Sequence, residues 1–375
     1  MRRFAFVAGM VGAAMAATAM HEKSTNVPSI CSIYFNFTGT NVSNMYYGRV
    51  GKDGMLDMLS NWGARFDPQG QVFLSDDGTR VSIATLDNGT IDEKFGCCDP
   101  TSLLTANVET GKWNVASFHR KNTGSPVQGV ECGKYGCGFL AVGGLEGNQA
   151  VAWVEDLLPP PPPSSKPVTK PVRGGDYEGL AFASFDAVSG TSKKIRPFSI
   201  NTDNQTAPGY SDRGMVSFHD GGMYFKCQPQ QGNFNLEGVC STLTTMQAPV
   251  QVIPWNQKTY TITDMAYSAA LKASVVIGQS MLGTDAATPT KVFLADDKKS
   301  DWPVIVDLGI ASSDLHQTTI SADGRYLFVL LRKDSGNPNL PNYDYVVVDL
   351  VRKREQSRTA LKQVDVMTPL VAVPC

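Results

Sequence analysis

The sequence has almost no helical periodicity, little charge and few histidines. Charged residues make up 18% of the 375-residue chain, histidines number 4, and the net charge is −2. That balance excludes a strongly basic nucleic-acid binder. Past the N-terminus, no apolar run is long enough to cross a bilayer, so no transmembrane segment is expected. The catalytic signatures Gly-x-Ser-x-Gly, the phosphate loop and His-Glu-x-x-His are missing. What remains is a chain with 42% hydrophobic residues, 35 glycines and 22 prolines. It is too apolar for a disordered polymer and rich in turns.

Residues 1–19 read as a secretory signal peptide. Arg2 and Arg3 precede the apolar stretch Phe4 to Ala17, and Ala17-Thr18-Ala19 is a small-x-small cleavage site. Cleavage takes the net charge from −2 to −4, since two arginines and no acid are lost. Residues 20–30 read as a disordered tail, and residues 31–375 as one domain. A secreted, extracellular protein follows. Asn36, Asn41, Asn88 and Asn204 each start an Asn-x-Ser/Thr glycosylation sequon.

All 8 cysteines lie in the mature part, and an even number in an oxidising compartment reads as disulfides. Cys227 with Cys240 is one expected pair. Cys97 and Cys98 pair with Cys132 and Cys137 across two loops, or each couple closes locally. A zinc site built from these four thiolates is the competing reading.

Short β-branched and aromatic runs alternate with Gly, Asp, Asn and Pro turns, which is the strand-and-hairpin signature. The runs repeat as a four-strand unit, a to d, with short a–b and c–d turns and a longer b–c loop. In residues 317–363, strand a ends at Ser321 and turns at Ala322-Asp323-Gly324, then Arg325 to Leu331, Tyr345 to Leu350 and a polar strand follow. Residues 70–118 repeat this plan, turning at Asp76-Asp77-Gly78 and again at Glu109 to Lys112. Units at 138–200, 213–256 and 264–309 also fit, the last two less regularly. Ser32 to Phe37, Met45 to Val50 and Met55 to Leu59 are left as strands b, c and d, and Met367 to Val373 as a lone strand a. Together they complete a sixth unit made from both ends of the chain, and a Cys31–Cys375 bridge pins it.

These pieces, such as Ser321-Ala-Asp-Gly-Arg-Tyr-Leu-Phe-Val and Ala106-Asn-Val-Glu-Thr-Gly-Lys-Trp, resemble β-propeller repeats of the WD40-like, TolB-like and lactonase-type kinds. The resemblance implies an all-β fold: a six-bladed propeller of four-stranded antiparallel blades, with seven blades as the alternative. The Gly-His and Trp-Asp dipeptides of true WD40 repeats are missing, and no catalytic motif carries over. The Pro-rich segment at 158–175 falls in a b–c loop and reads as a stiff projection.

In such a ring the b–c loops and d–a connections share one face, and here they are long: residues 87–101, 119–137, 155–176, 228–238 and 333–342. Binding usually lives on such loops. Acidic residues repeatedly precede strand a: Asp67, Glu131, Asp212, Asp264, Asp314 and Asp365. Carboxylates converging on a channel repel unless they share a proton or a cation, and hard oxygen ligands suit Ca²⁺. Asp212, Asp264, Asp314 and Asp365 are the candidate binding and metal-ligating set, set against solvated caps. His316, beside Asp314, is the candidate general base. His119 and His219 are less well placed, and His21 falls in the tail. Tyr34, Phe35, Phe37, Tyr46 and Tyr47 are either a sugar-stacking patch or core. The leading functional reading is a surface or secreted glycoprotein that binds a protein or glycan without covalent chemistry. The second is a Ca²⁺-dependent propeller hydrolase of lactonase or esterase type.

Overall fold

In the computed structural model, the described residues are those of the strands below, with their short connections and residues 28–29, 295–296, 298–299, 301–303, 361–362 and 375. Every regular element among them is a β-strand. The first sheet holds β1 (Ile30–Asn36), β2 (Asn44–Val50) and β3 (Leu56–Arg65). The second holds β4 (Asp67–Leu74), β5 (Arg80–Leu86), β6 (Ser102–Asn107) and β7 (Trp113–Ser117). The third holds β8 (Cys137–Glu146), β9 (Gln149–Asp156), β10 (Gly179–Asp186) and β11 (Ser192–Phe198). The fourth holds β12 (Ala207–Pro208), β13 (Val216–His219), β14 (Gly222–Gln228), β15 (Glu237–Leu243) and β16 (Gln251–Trp255). The fifth holds β17 (Tyr260–Ser268), β18 (Ala273–Ser280), β19 (Ala287–Leu294) and β20 (Val304–Ser312). The sixth holds β21 (His316–Ile320), β22 (Tyr326–Lys333), β23 (Asn342–Asp349) and β24 (Arg354–Ala360). The last strand, β25 (Met367–Pro374), returns to pair with β1, so the first sheet runs β25-β1-β2-β3.

All pairings are antiparallel, and no seventh sheet forms among the described residues. The innermost strands touch in sequence: β4 with β8, β8 with β13, β13 with β17, β17 with β21, β21 with β25, and β25 with β4. Antiparallel sheets arranged side by side around a closed circle of inner strands define a β-propeller. Side-chain packing is described mainly in four blades, the first, second, fifth and sixth. The third and fourth are described chiefly by backbone pairing.

In the sixth sheet the middle strands are packed between two neighbouring sheets, buried on both faces, and read as unbroken apolar runs. In β22, Tyr326, Phe328 and Leu330 pack toward the first sheet with Ile30, Val50, Tyr345 and Ala372. The alternate residues Leu327, Val329 and Leu331 pack toward the fifth with Val275, Ile277, Val292 and Leu308. The first and second sheets share a core of Ile33, Met45, Trp62, Val371 and Val373 against Val81, Ile83 and Leu104. The two-residue period of a strand thus distributes one run over two interfaces.

The turns repeat in atomic detail. Gly78 N–H donates to Ser75 O, and Arg80 N–H to Ser75 Oγ (2.8 and 2.9 Å). Gly324 N–H donates to Ser321 O, and Tyr326 N–H to Ser321 Oγ (2.7 and 2.9 Å). Both glycines have positive φ (71° and 70°), the region that a Cβ disfavours. They differ in surroundings. Among the described residues a Cβ on Gly78 would meet nothing within 4 Å, whereas one on Gly324 would lie 2.5 Å from Ala269 N in the fifth sheet.

Three details differ from the sequence reading. The first strand starts at Ile30, which is buried, one residue before the expected Cys31. The fourth sheet has an extra strand, β12. It pairs with Cys227 and Gln228 of β14, beyond the reach of the short β13, which begins at Val216 opposite Phe225. The loop-length rule also has exceptions: β3 and β4 are separated by residue 66 alone, and the fifth sheet's c–d connection occupies residues 295–303.

Candidate functional site

The sequence places the candidate chemistry where inner strands begin, and Asp264 is the one member of the candidate carboxylate set whose side chain is described. It lies inside β17, in the run Ile262-Thr263-Asp264-Met265, and is 3% exposed. The ladder to β18 shifts there: Ile262 faces Gly278 and Asp264 faces Ile277, so Thr263 is an extra residue. Such a bulge re-aims the next side chain. Asp264 Oδ1 accepts from Met265 N–H (2.7 Å). Oδ2 accepts from Thr318 N–H (2.6 Å) and Thr318 Oγ1–H (2.9 Å) on β21 of the sixth sheet. A buried carboxylate must be matched by donors, and here those donors tie one inner strand to the next.

Of the other candidates, His316 is the first residue of β21, opposite Leu331. Asp67 opens β4 opposite Leu86, and His219 ends β13 opposite Gly222. Asp212, Asp314 and Asp365, with Glu131 and His119, lie outside the described residues. Among the described residues, no group of three or more His, Cys, Asp or Glu is placed to hold a metal ion.

Cys31 and Cys375 form a disulfide across the first sheet, with Cα atoms 5.0 Å apart and 344 positions between them in sequence. In the complete units the chain itself runs from strand a to strand b. Here the bond takes the place of that turn, reinforced by Cys375 N–H donating to Ser29 O (3.0 Å). Cys227 faces Gly238 and Cys240 faces Phe225, which sets the two cysteines diagonally on the ladder. Cys137 opens β8 opposite Asp156. Cys97, Cys98 and Cys132 lie outside the described residues, as do Asn41, Asn88 and Asn204. Asn36 ends β1 opposite Met367.

The aromatic cluster of the first sheet is core on its inner members. Tyr34 and Tyr47 are buried; Tyr34 stacks on Tyr46 (5.4 Å between centroids) and Tyr47 on Trp62 (6.4 Å). Tyr345 Oη–H donates to Ser32 Oγ (2.8 Å), whose own hydroxyl reaches Val371 O (3.1 Å), so a buried hydroxyl relay joins the sixth sheet to the first. Burial holds the Tyr345 phenol far above its ordinary range, and Tyr34 is also raised by burial and by Tyr46.

Two buried aspartates at the ends of β23 were missed from sequence. Asp349 pairs with Arg325 (2.9 Å) and accepts from Arg352 N–H (3.0 Å). Burial is the strongest single influence and raises its pKa. The Arg325 and Arg352 hydrogen bonds and charges together outweigh it, and the carboxyl sits below the usual carboxylate range. Asp344 pairs with Lys333 and with Arg358 (3.1 Å), and Arg358 also donates to Leu308 O of the fifth sheet (3.1 Å). The readable signal was an acid bounding the apolar run Tyr345-Val346-Val347-Val348 on each side, since a charge in so buried a strand needs a partner.

No known family model matches this chain, and neither does any curated protein sequence. Solved structures resemble it at low identity. TolB from Acinetobacter baumannii is 10% identical with a TM-score of 0.49, over 91% of this chain and 66% of that one. An oligogalacturonate lyase in complex with manganese is 11% identical with a TM-score of 0.41, over 87% and 77%. A prolyl endopeptidase is 9% identical with a TM-score of 0.39, over 93% and 50%. This chain therefore spans just under two thirds of the TolB chain. Its own strand pairing defines the protein as a β-propeller. No helix among the described residues is long and apolar enough to cross a membrane.

Proposed function

We propose that this protein is a secreted or cell-surface glycoprotein, a six-bladed propeller that binds a protein or glycan through the face carrying its b–c loops. The observation that carries the reading is the asymmetry of the connections. The a–b turns are tight, as at Ser75 to Arg80 and Ser321 to Tyr326, while strands b and c of the second and third sheets are joined through the longer stretches 87–101 and 157–178. Rigid blades with long loops at one end are a scaffold for recognition. The N-terminal targeting pattern and the four sequons support export, and the even cysteine count agrees with it.

The hydrolase reading, with Ca²⁺ on Asp212, Asp264, Asp314 and Asp365 and His316 as base, draws less support. The carboxylate of Asp264 already accepts three hydrogen bonds from protein donors.

The test uses the full chain on a glycan array and in a surface-exposed-protein binding screen. Replacing residues 157–178 by a Gly-Ser linker of equal length is expected to abolish whatever binding is found. Substitution of the exposed Thr110 on the turn face is expected to leave it intact. Equal loss from both, or turnover of a lactone and ester panel that EDTA abolishes, would overturn the reading.

A further inference from the structure

We propose that the Cys31–Cys375 bond is a redox-operated clasp on the inner strand of the first blade, releasing β25 on reduction while the other blades stay folded. In the five other sheets, strand a runs into strand b through the chain itself. In the first sheet that link is the disulfide alone. Once it is broken, the backbone holds β25 only from the β24 side.

Besides the bond, β25 is held by pairing with β1 at seven positions and by Cys375 N–H donating to Ser29 O. Its ladder to β1 is interrupted: Ile33 faces Val371 and Tyr34 faces Pro369, so Leu370 has no partner in β1. The regular stretch beside the bond is therefore Val371–Pro374 against Ile30–Ile33. It is anchored by Val371, Ala372 and Val373, by Ser32 Oγ–H on Val371 O, and by Thr319 Oγ1–H on Ala372 O (2.6 Å). By contrast β22 buries six consecutive side chains, three of them Leu and one Phe. Local opening follows such differences in buried contacts. The core strands β18 and β19 of the fifth sheet share no buried cluster with β25, whereas β5, β6, β22 and β23 pack on Val371, Ala372 or Val373.

Cys375 is exposed and Cys31 is fully buried, so exchange starts at Cys375. A thiolate of an external dithiol attacks Cys375 Sγ, the S–S bond breaks, and Cys31 leaves as a thiolate that takes up a proton. The second thiol of the dithiol then attacks the mixed disulfide, closing its own ring and releasing Cys375 as a thiol. Two electrons pass from the dithiol to the protein disulfide.

The test is hydrogen exchange by mass spectrometry on the full chain. Oxidised protein, the same protein treated with dithiothreitol after folding, and a Cys31→Ser/Cys375→Ser variant with and without dithiothreitol are compared. The amides of Val371 to Val373 are expected to exchange at least tenfold faster in the reduced protein and in the variant. Those of Val275 to Ile277 in β18, whose clusters hold no residue of β25, should be unchanged, and dithiothreitol should add nothing to the variant at β25. Equal protection of β25 with and without the bond overturns the proposal. Acceleration of β18 in step with β25 also overturns it, because the chain then unfolds as a whole. A dithiothreitol effect on the variant as large as that on the wild type assigns the change to other cysteines, with the same consequence.

Discussion

Gly78 and Gly324 occupy the same position of the same turn in two blades, so replacing each by alanine isolates what the blade interface contributes. The backbone cost is shared, because φ is 71° at one and 70° at the other. A Cβ in that region costs about 1 kcal/mol. The gain from stiffening the unfolded chain, about 0.5 kcal/mol, is also shared. The surroundings are not shared. The Cβ of Gly78→Ala meets nothing within 4 Å, but that of Gly324→Ala would lie 2.5 Å from Ala269 N and 2.7 Å from Ala270 N. Those atoms are backbone, so the seam between the fifth and sixth blades must shift. Ser268 Oγ–H, which donates to Gly324 O (2.5 Å), must move with it. Overpacking of that kind costs about 2 kcal/mol more. Urea unfolding followed by tryptophan fluorescence should place Gly78→Ala within about 1 kcal/mol of wild type and Gly324→Ala about 2.5 kcal/mol below wild type, at unchanged slope. Two variants that agree within about 0.5 kcal/mol would refute the reasoning, since the contact at the seam would then carry no weight.

Two further predictions concern buried carboxylates. Asp349 is fully buried against the partly exposed Arg325, and its pKa is lowered. Its contribution is therefore present above the unfolded value of about 4 and lost as pH falls through the folded value. Asp349→Asn should lower stability at pH 7 by about 3 kcal/mol and flatten the acid limb of the stability–pH curve; a limb as steep as wild type would count against the pairing. Asp264→Ala leaves the amides of Met265 and Thr318 without their acceptor, a loss of about 2–3 kcal/mol. Thermal melting with EDTA and then Ca²⁺ should show the same deficit in both conditions, whereas a Ca²⁺-dependent gap between variant and wild type would restore Asp264 as a cation ligand.

Much of the fold was legible because a propeller writes its period along the chain. The Asp-Gly turns at Gly78 and Gly324 punctuate each unit by local backbone chemistry, and their spacing identified strands without any long-range information. The Cys31–Cys375 bond was legible for the same reason: strands b, c and d at one end and a lone strand a at the other belong to one sheet, and each cysteine sits beside the missing turn. The candidate site was less legible. Asp264 has the right position in the repeat for a channel carboxylate, yet the bulge at Thr263 turns it onto Thr318 of the next blade, and no local pattern announces a bulge.

The residues by themselves determined strand, turn and repeat, because alternation and glycine conformation act within a few positions of the chain. Only the tertiary structure decided which side chains meet between blades. Val346 and Val347 are near-identical neighbours in sequence, but one packs on the fifth blade and the other on the first. Gly78 and Gly324 likewise share a local sequence, while among the described residues a Cβ on Gly324 meets another blade and one on Gly78 does not. Those contacts depend on how twisted sheets stack around the ring, a geometry that the short-range preferences of any single segment do not contain.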